Sequence, residues 1–156
     1  MSKNITKEER LNHMREMEKR GEILKRDKGY IYPSVLILPS NFHLGEGSHV
    51  GAYSIIAGPV SIGNWCLISQ HVYMWANEHG LEPDKEICLQ PIVEIPIKIE
   101  DDVWVGTGAI ITAGVTIHNH AVVGAGSVVT HDIPEYEIWA GVPAKKIGDR
   151  RTWKKR

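Results

Sequence analysis

Aliphatic residues recur at every sixth position along most of this chain. From Tyr32 the series runs Leu38, Leu44, Val50, Ile56, Ile62, Ile68 and Met74. After a break it resumes one residue out of step as Val93, Ile99, Val105, Ile111, Ile117, Val123 and Val129. All fifteen are apolar, in a chain whose apolar fraction is only 42%. A period of six matches neither the α-helix nor a single long strand. It fits short strands joined by tight turns. The residue after the aliphatic one is often glycine, as at Gly45, Gly51, Gly63, Gly106 and Gly124. Such glycines are expected to supply positive φ in the turns. Four residues after the aliphatic one stand small or β-branched side chains: Ser54, Val60, Cys66, Val72, Val103, Ala109, Val115, Ala121 and Ser127.

Hexapeptide repeats are a signature of parallel β-helices. Three hexads make one triangular coil, and successive coils stack at about 4.8 Å, the ordinary strand spacing. The expected fold is all-β, a β-helix of about five coils with its aliphatic residues stacked inside. Cys66 falls on an inward small position and reads as core. A coil stack has open ends that need covering. At the N-terminus, Thr6 and Glu9 have capping-box spacing, and Leu11, Met14 and Met17 form an apolar stripe. A helix is therefore expected within the first twenty residues. After Ile133 the stretch "PEYEIWAGVPAKKI" leaves the repeat and reads as turn, strand and turn. The expected organisation is one domain: an N-terminal helix and cap over 1–31, a β-helix over 32–134 interrupted by a loop at 75–92, and a C-terminal extension over 135–156.

A formal net charge of −1 argues against nucleic acid as the main partner. The tail "DRRTWKKR" is locally basic, with Arg150, Arg151, Lys154, Lys155 and Arg156. It reads as a solvated terminus or as an anion site for a phosphate-rich cofactor. Two cysteines, Cys66 and Cys88, define neither a disulfide framework nor a metal pair. The charged N-terminus resembles neither a signal peptide nor a membrane span. A soluble, reducing, cytoplasmic setting is expected.

Three stretches carry a family resemblance: "VSIGNWCLISQHVYMWANEH", "IEDDVWVGTGAIITAGVTI" and "VVGAGSVVTHDIPEYEIWAGVPAKKI". Over residues 32–148 the chain resembles the hexapeptide-repeat acyltransferases, in particular the small sugar and polysaccharide O-acetyltransferases of the maltose and galactoside type. The resemblance implies a left-handed parallel β-helix, acetyl-CoA as cosubstrate and a homotrimer with its cofactor groove between subunits. It also gives the inserted loop a purpose. The first stretch runs into His79, which the resemblance makes the general base for a sugar hydroxyl. Histidine accepts a proton near neutral pH. Glu78 and Asp84 are candidates to orient its ring. Trp75, Asn77, Glu78 and His71 are the candidate acceptor contacts.

By the same resemblance the coenzyme lies against Trp104, Gly106, Thr107, Ala125, Thr130 and His131, with Lys145 and Lys146 near its phosphates. The chain departs from the family pattern at His131, where a lysine often follows the threonine. The oxyanion of the transfer needs a donor. A backbone N–H near Trp104 or Gly106, or the Asn77 side chain, would serve. Direct transfer in a ternary complex is expected, because no serine-elbow motif or cysteine–base pair offers a covalent route. No metal ligand set is expected. N-acetylation of an amino sugar, a carbonic-anhydrase-like metal enzyme and a non-catalytic β-helix scaffold are the alternatives.

Overall fold

The computed structural model describes residues 5–38 and 41–154. Its body is a parallel β-solenoid of about six turns, built from strands of two to four residues on three faces. Face A stacks Gly29–Ile31, His49–Val50, Leu67–Ile68, Trp104–Val105, Val122–Val123 and Glu137–Ala140. Face B stacks Leu36–Ile37, Ile55–Ala57, Tyr73–Trp75, Ile110–Thr112 and Val128–Val129. Face C stacks Phe42–Leu44, Val60–Ile62, Ile97–Ile99 and Thr116–Ile117.

Each face carries one inward row in register. These rows are Val50, Ile68, Val105 and Val123 on face A; Ile56, Met74, Ile111 and Val129 on face B; and Leu44, Ile62, Ile99 and Ile117 on face C. All are buried. Each contributes roughly 1.5–3 kcal/mol gross, most of which offsets the entropy of ordering so short a strand. The small positions at the corners are buried too, Cys66 among them. Where a corner residue is serine, its hydroxyl links successive coils. Ser54 Oγ donates to Ser69 O at 3.2 Å and accepts from Val72 N–H at 3.1 Å.

The period holds, but three of its expected members lie elsewhere. In the first coil the residues paired with Val50 and Ile56 are Ile31 and Ile37, not Tyr32 and Leu38. One extra residue between Ile37 and Leu44 shifts the phase, and a one-residue slip turns every side chain over. Val93 belongs to a hairpin outside the solenoid and is 49% exposed; the inward beat resumes at Ile97 and Ile99.

The glycines of the repeat are also required for a different reason. Gly45, Gly51, Gly63, Gly106 and Gly124 do not adopt positive φ. They sit where coils approach closely, and a Cβ on Gly106 would lie 2.6 Å from the Ala125 nitrogen. The left-handed turn falls two residues later, at Gly47, Tyr53, Trp65, His71, Asp102, Gly108, Gly114, His120 and Gly126.

Both ends of face A are closed by antiparallel strands, Leu24–Arg26 at one end and Lys145–Asp149 at the other. This second C-terminal strand lies where the sequence reads as a turn. Helix α1, Lys7–Lys19, has the expected capping box between Thr6 and Glu9, and buries Met14 with Met17 against Ile23, Tyr30 and Tyr32. Trp153 covers Gly148, where a Cβ would meet its ring at 2.6 Å. Among the described residues no helix is long and apolar enough to cross a membrane.

Candidate active site

The chain leaves the solenoid at Ala76, after the face-B strand that ends at Trp75, and returns at Ile95. The two ends of the excursion are tied by Ile95 N–H donating to Ala76 O at 2.9 Å. Between them Asn77–His79 pairs antiparallel with Ile92–Glu94, placing His79 opposite Ile92. Side chains alternate along a strand, so Asn77 and His79 share one side of the hairpin and Glu78 takes the other. His79 is exposed, and among the described residues nothing hydrogen-bonds its ring. Glu78 and Asp84 therefore do not orient it within this chain. Asn77 Oδ1 is buried without a hydrogen-bond partner, against Gly58. Trp75 is exposed at the root of the hairpin. His71 lies in a left-handed turn one corner earlier, its ring stacked on Tyr53 at 5.2 Å.

The corner between faces A and B brings together a second group. Gly126 N–H donates to Thr107 O at 2.8 Å, and Gly108 N–H to Gln70 O at 3.1 Å. Nothing lies within 4 Å of where a Cβ on Gly108 or Gly126 would stand, which leaves this backbone open to a ligand. Thr107 and Ala125 are exposed there, and Trp104 Nε1 donates to Ser69 Oγ at 3.3 Å on the adjoining face.

Thr130 and His131 lie at the end of the face-B strand Val128–Val129, on the corner column from which the His79 hairpin emerges. Their side chains are joined at 2.9 Å. Lys146 pairs with Glu137 at 2.5 Å, whereas Lys145 has no ion pair among the described residues. In the tail, Arg150 bonds Asp102 at 2.8 Å and Arg151 bonds Asp149 at 2.6 Å. Burial alone would raise the Asp102 carboxyl, but hydrogen bonds with His120 and Arg150 outweigh it and hold it low. Lys155 and Arg156 lie outside the described residues.

A family model of the bacterial transferase hexapeptide, in six repeats, matches residues 96–131. The galactoside O-acetyltransferase of Escherichia coli (strain K12) is 32% identical over 145 residues, covering 87% of this chain and 71% of that protein. The chain belongs to the hexapeptide-repeat acyltransferases. A maltose O-acetyltransferase from Clostridium difficile 630 superposes with a TM-score of 0.65 at 25% identity, over 95% of this chain and 78% of that one. AntD, an N-acyltransferase from Bacillus cereus, superposes with a TM-score of 0.64 over 86% of this chain and 89% of that one; at 21% identity the likeness is of fold.

The solenoid of this acyltransferase is accordingly the left-handed parallel β-helix of its family, and its acyl donor is acetyl-CoA. The open backbone at Gly108 and Gly126 fits a coenzyme arm, because a chain rich in amides needs close approach to N–H and C=O groups. The acyltransferase's candidate residues divide between the two edges of face B: Thr107 and Ala125 on one, His79, Thr130 and His131 on the other. A strand of three residues separates the edges by about 10 Å. Two of its cavities, of about 510 and 520 Å³, are lined by α1 and by the corner of faces C and A, and neither includes a residue of the hairpin.

The sequence reading passed over Gln90, the buried polar residue of the loop. Its only sequence signal is a glutamine before Pro91, which carries no periodicity.

Proposed function

We propose that this acyltransferase moves an acetyl group from acetyl-CoA to a sugar hydroxyl, with His79 as general base. The observation that carries the reading is the hairpin itself. It lifts one imidazole clear of the solenoid, on the side of the strand that Asn77 shares, with Trp75 at the hairpin's root. The acceptor oxygen attacks the thioester carbonyl as its proton passes to the ring. The C–S bond then breaks, and the leaving sulfur takes that proton back. Transfer is direct in this reading, and the Cys66 thiol, buried in the core and pushed up to about 11 mainly by burial, takes no part in it. With Asn77 Oδ1 against Gly58, the amide's Nδ2 is the part of this side chain that can donate to the developing oxyanion. Trp75 offers a flat apolar surface for a sugar ring, and Glu78 a carboxylate for hydroxyls. The names of the galactoside and maltose relatives support a sugar acceptor.

The working unit is a homotrimer with face B turned toward its neighbours. Outward on that face run Leu36, Ile55, Tyr73, Ile110 and Val128, an exposed to half-buried apolar row on strands already apolar within. Strands apolar on both sides call for cover. Packing face B between copies sets the Thr107 edge of one chain beside the His79 edge of the next. That closes the gap which a single chain leaves between its two groups. A reducing, cytoplasmic setting agrees with two free cysteines.

The test is thiol release from acetyl-CoA across a panel of sugars and amino sugars. A general base typically contributes 10²–10⁴-fold, so His79→Ala should lower kcat/KM by about that much with coenzyme binding unchanged. Activity within about twofold of the parent would remove His79 from the mechanism. Turnover confined to amine acceptors would replace O-acetylation by N-acetylation.

A further inference from the structure

Gln90 is 6% exposed in a loop whose other residues from Leu81 to Leu89 are all exposed. Burying an amide is costly unless its hydrogen bonds are met. Here they are met by the loop's own backbone. Gln90 Oε1 accepts from Glu82 N–H at 2.9 Å, and Nε2 donates to Glu82 O at 3.0 Å and to Lys85 O at 2.9 Å. The side chain thus pairs with residue 82 as a neighbouring strand would. It does so just past the end of the hairpin ladder. The ladder runs Asn77 with Glu94, Glu78 with Val93 and His79 with Ile92, then Gly80 N–H to Pro91 O at 3.2 Å. Gln90 takes over one step beyond that. Gly80 is part of the fit, since a Cβ there would stand 2.5 Å from Gln90 Oε1.

We infer that Gln90 is a positioning residue for His79: its amide locks the far end of the hairpin, so that the imidazole keeps one direction when the acceptor binds. The inference rests on His79 being the base. The reason is mechanical. A two-stranded ribbon alone is marginally stable in water. The solenoid holds the Ala76–Ile95 end, and beyond the Gly80–Pro91 bond the Gln90 side chain holds the other. His79 stands three residues before Glu82, and its ladder partner Ile92 two residues after Gln90. A displacement of about 1 Å at a reacting group costs on the order of 10²-fold in rate.

Glutamate at this position is nearly isosteric, but it removes both donors and sets a carboxylate oxygen against two carbonyls. Gln90→Glu and Gln90→Ala should lower kcat by roughly 10–100-fold while the KM for acetyl-CoA stays within about twofold. Tryptic cleavage after Lys85 should quicken, with the melting temperature unchanged because the clamp's hydrogen bonds lie within the loop. A positioning role also predicts strong non-additivity. Placed on His79→Ala, Gln90→Glu should have less than about a twofold further effect. A Gln90→Glu enzyme with parental kcat beside a disabled His79→Ala overturns the inference. So does a loss that persists in full on His79→Ala, since the amide would then act without the base. Full activity in His79→Ala overturns the base reading instead.

Discussion

The Arg10 guanidinium donates a hydrogen bond to Nδ1 of His49 at 2.9 Å, and its Nε donates to Gly47 O at 3.3 Å. Helix α1 is thereby tied to the second coil. Arginine keeps its proton, so Nδ1 must be the bare acceptor and the ring's hydrogen sits on Nε2. Burial first, and the Arg10 charge second, depress His49 from the usual 6.5 to about 4.

The sign of the pH effect follows from that depression. Between pH 6.5 and 4 the unfolded chain binds a proton at this site that the folded chain refuses. Stability therefore falls as pH falls through that window, by about 2 kcal/mol between pH 7 and pH 5. His49→Gln keeps an acceptor for Arg10 but cannot titrate. Urea unfolding at both pH values should show the parent losing that increment and the variant lacking it. An equal loss in both would place the sensitivity elsewhere.

Gly106 and Gly108 are two residues apart and should fail in different ways. Gly106 has ordinary φ but faces the Ala125 backbone, so a methyl group forces two coils apart. Gly108 has φ +72 with nothing within 4 Å, so alanine there meets strain without a clash. Gly108→Ala should cost about 1–2 kcal/mol, the ordinary penalty of a left-handed alanine. Gly106→Ala should cost more, beyond the roughly 1–3 kcal/mol of overpacking, because backbone cannot give way as a side chain can. Thermal unfolding of both variants checks the order. A reversed order would mean the coils separate more easily than their spacing implies.

How much of this was legible in the sequence depended on whether neighbouring coils repeat the same demand. Ile56, Met74 and Ile111 meet identical surroundings one coil apart, so the period exposes them. The capping box was legible because Thr6 and Glu9 satisfy each other locally. Tyr32 and Leu38 misled because a single inserted residue before Leu44 leaves composition untouched and changes only phase. Val93 misled because hairpin strands also carry β-branched residues. Glycines after the aliphatic position were visible, but close approach and positive φ leave the same letter. In the site, the run into His79 stood out through its family stretch. Gln90 did not, because its partners are backbone groups, which no side-chain pattern records.

Assembly supplies the sharpest remaining test. Leu36, Tyr73 and Ile110 are 49%, 37% and 39% exposed in the outward row of face B. Ile110 sits between Tyr73 and Val128 on one side of a strand whose inward member, Ile111, is fully buried. Ile110→Glu therefore leaves the core of a single chain untouched, and an isolated solenoid should keep its circular dichroism. In a trimer closed on face B the same carboxylate would be buried three times over without a partner. Removing one unpaired charge from water costs several kcal/mol, enough to separate the subunits. Light scattering should show the parent as a trimer and Ile110→Glu as a monomer. Acetyl transfer should fall with assembly, because the Thr107 edge and the His79 edge would no longer meet. Ile110→Val, which keeps the surface apolar, should retain both. A trimeric Ile110→Glu enzyme with parental kcat would move the interface off face B, and the pairing of the two edges would go with it.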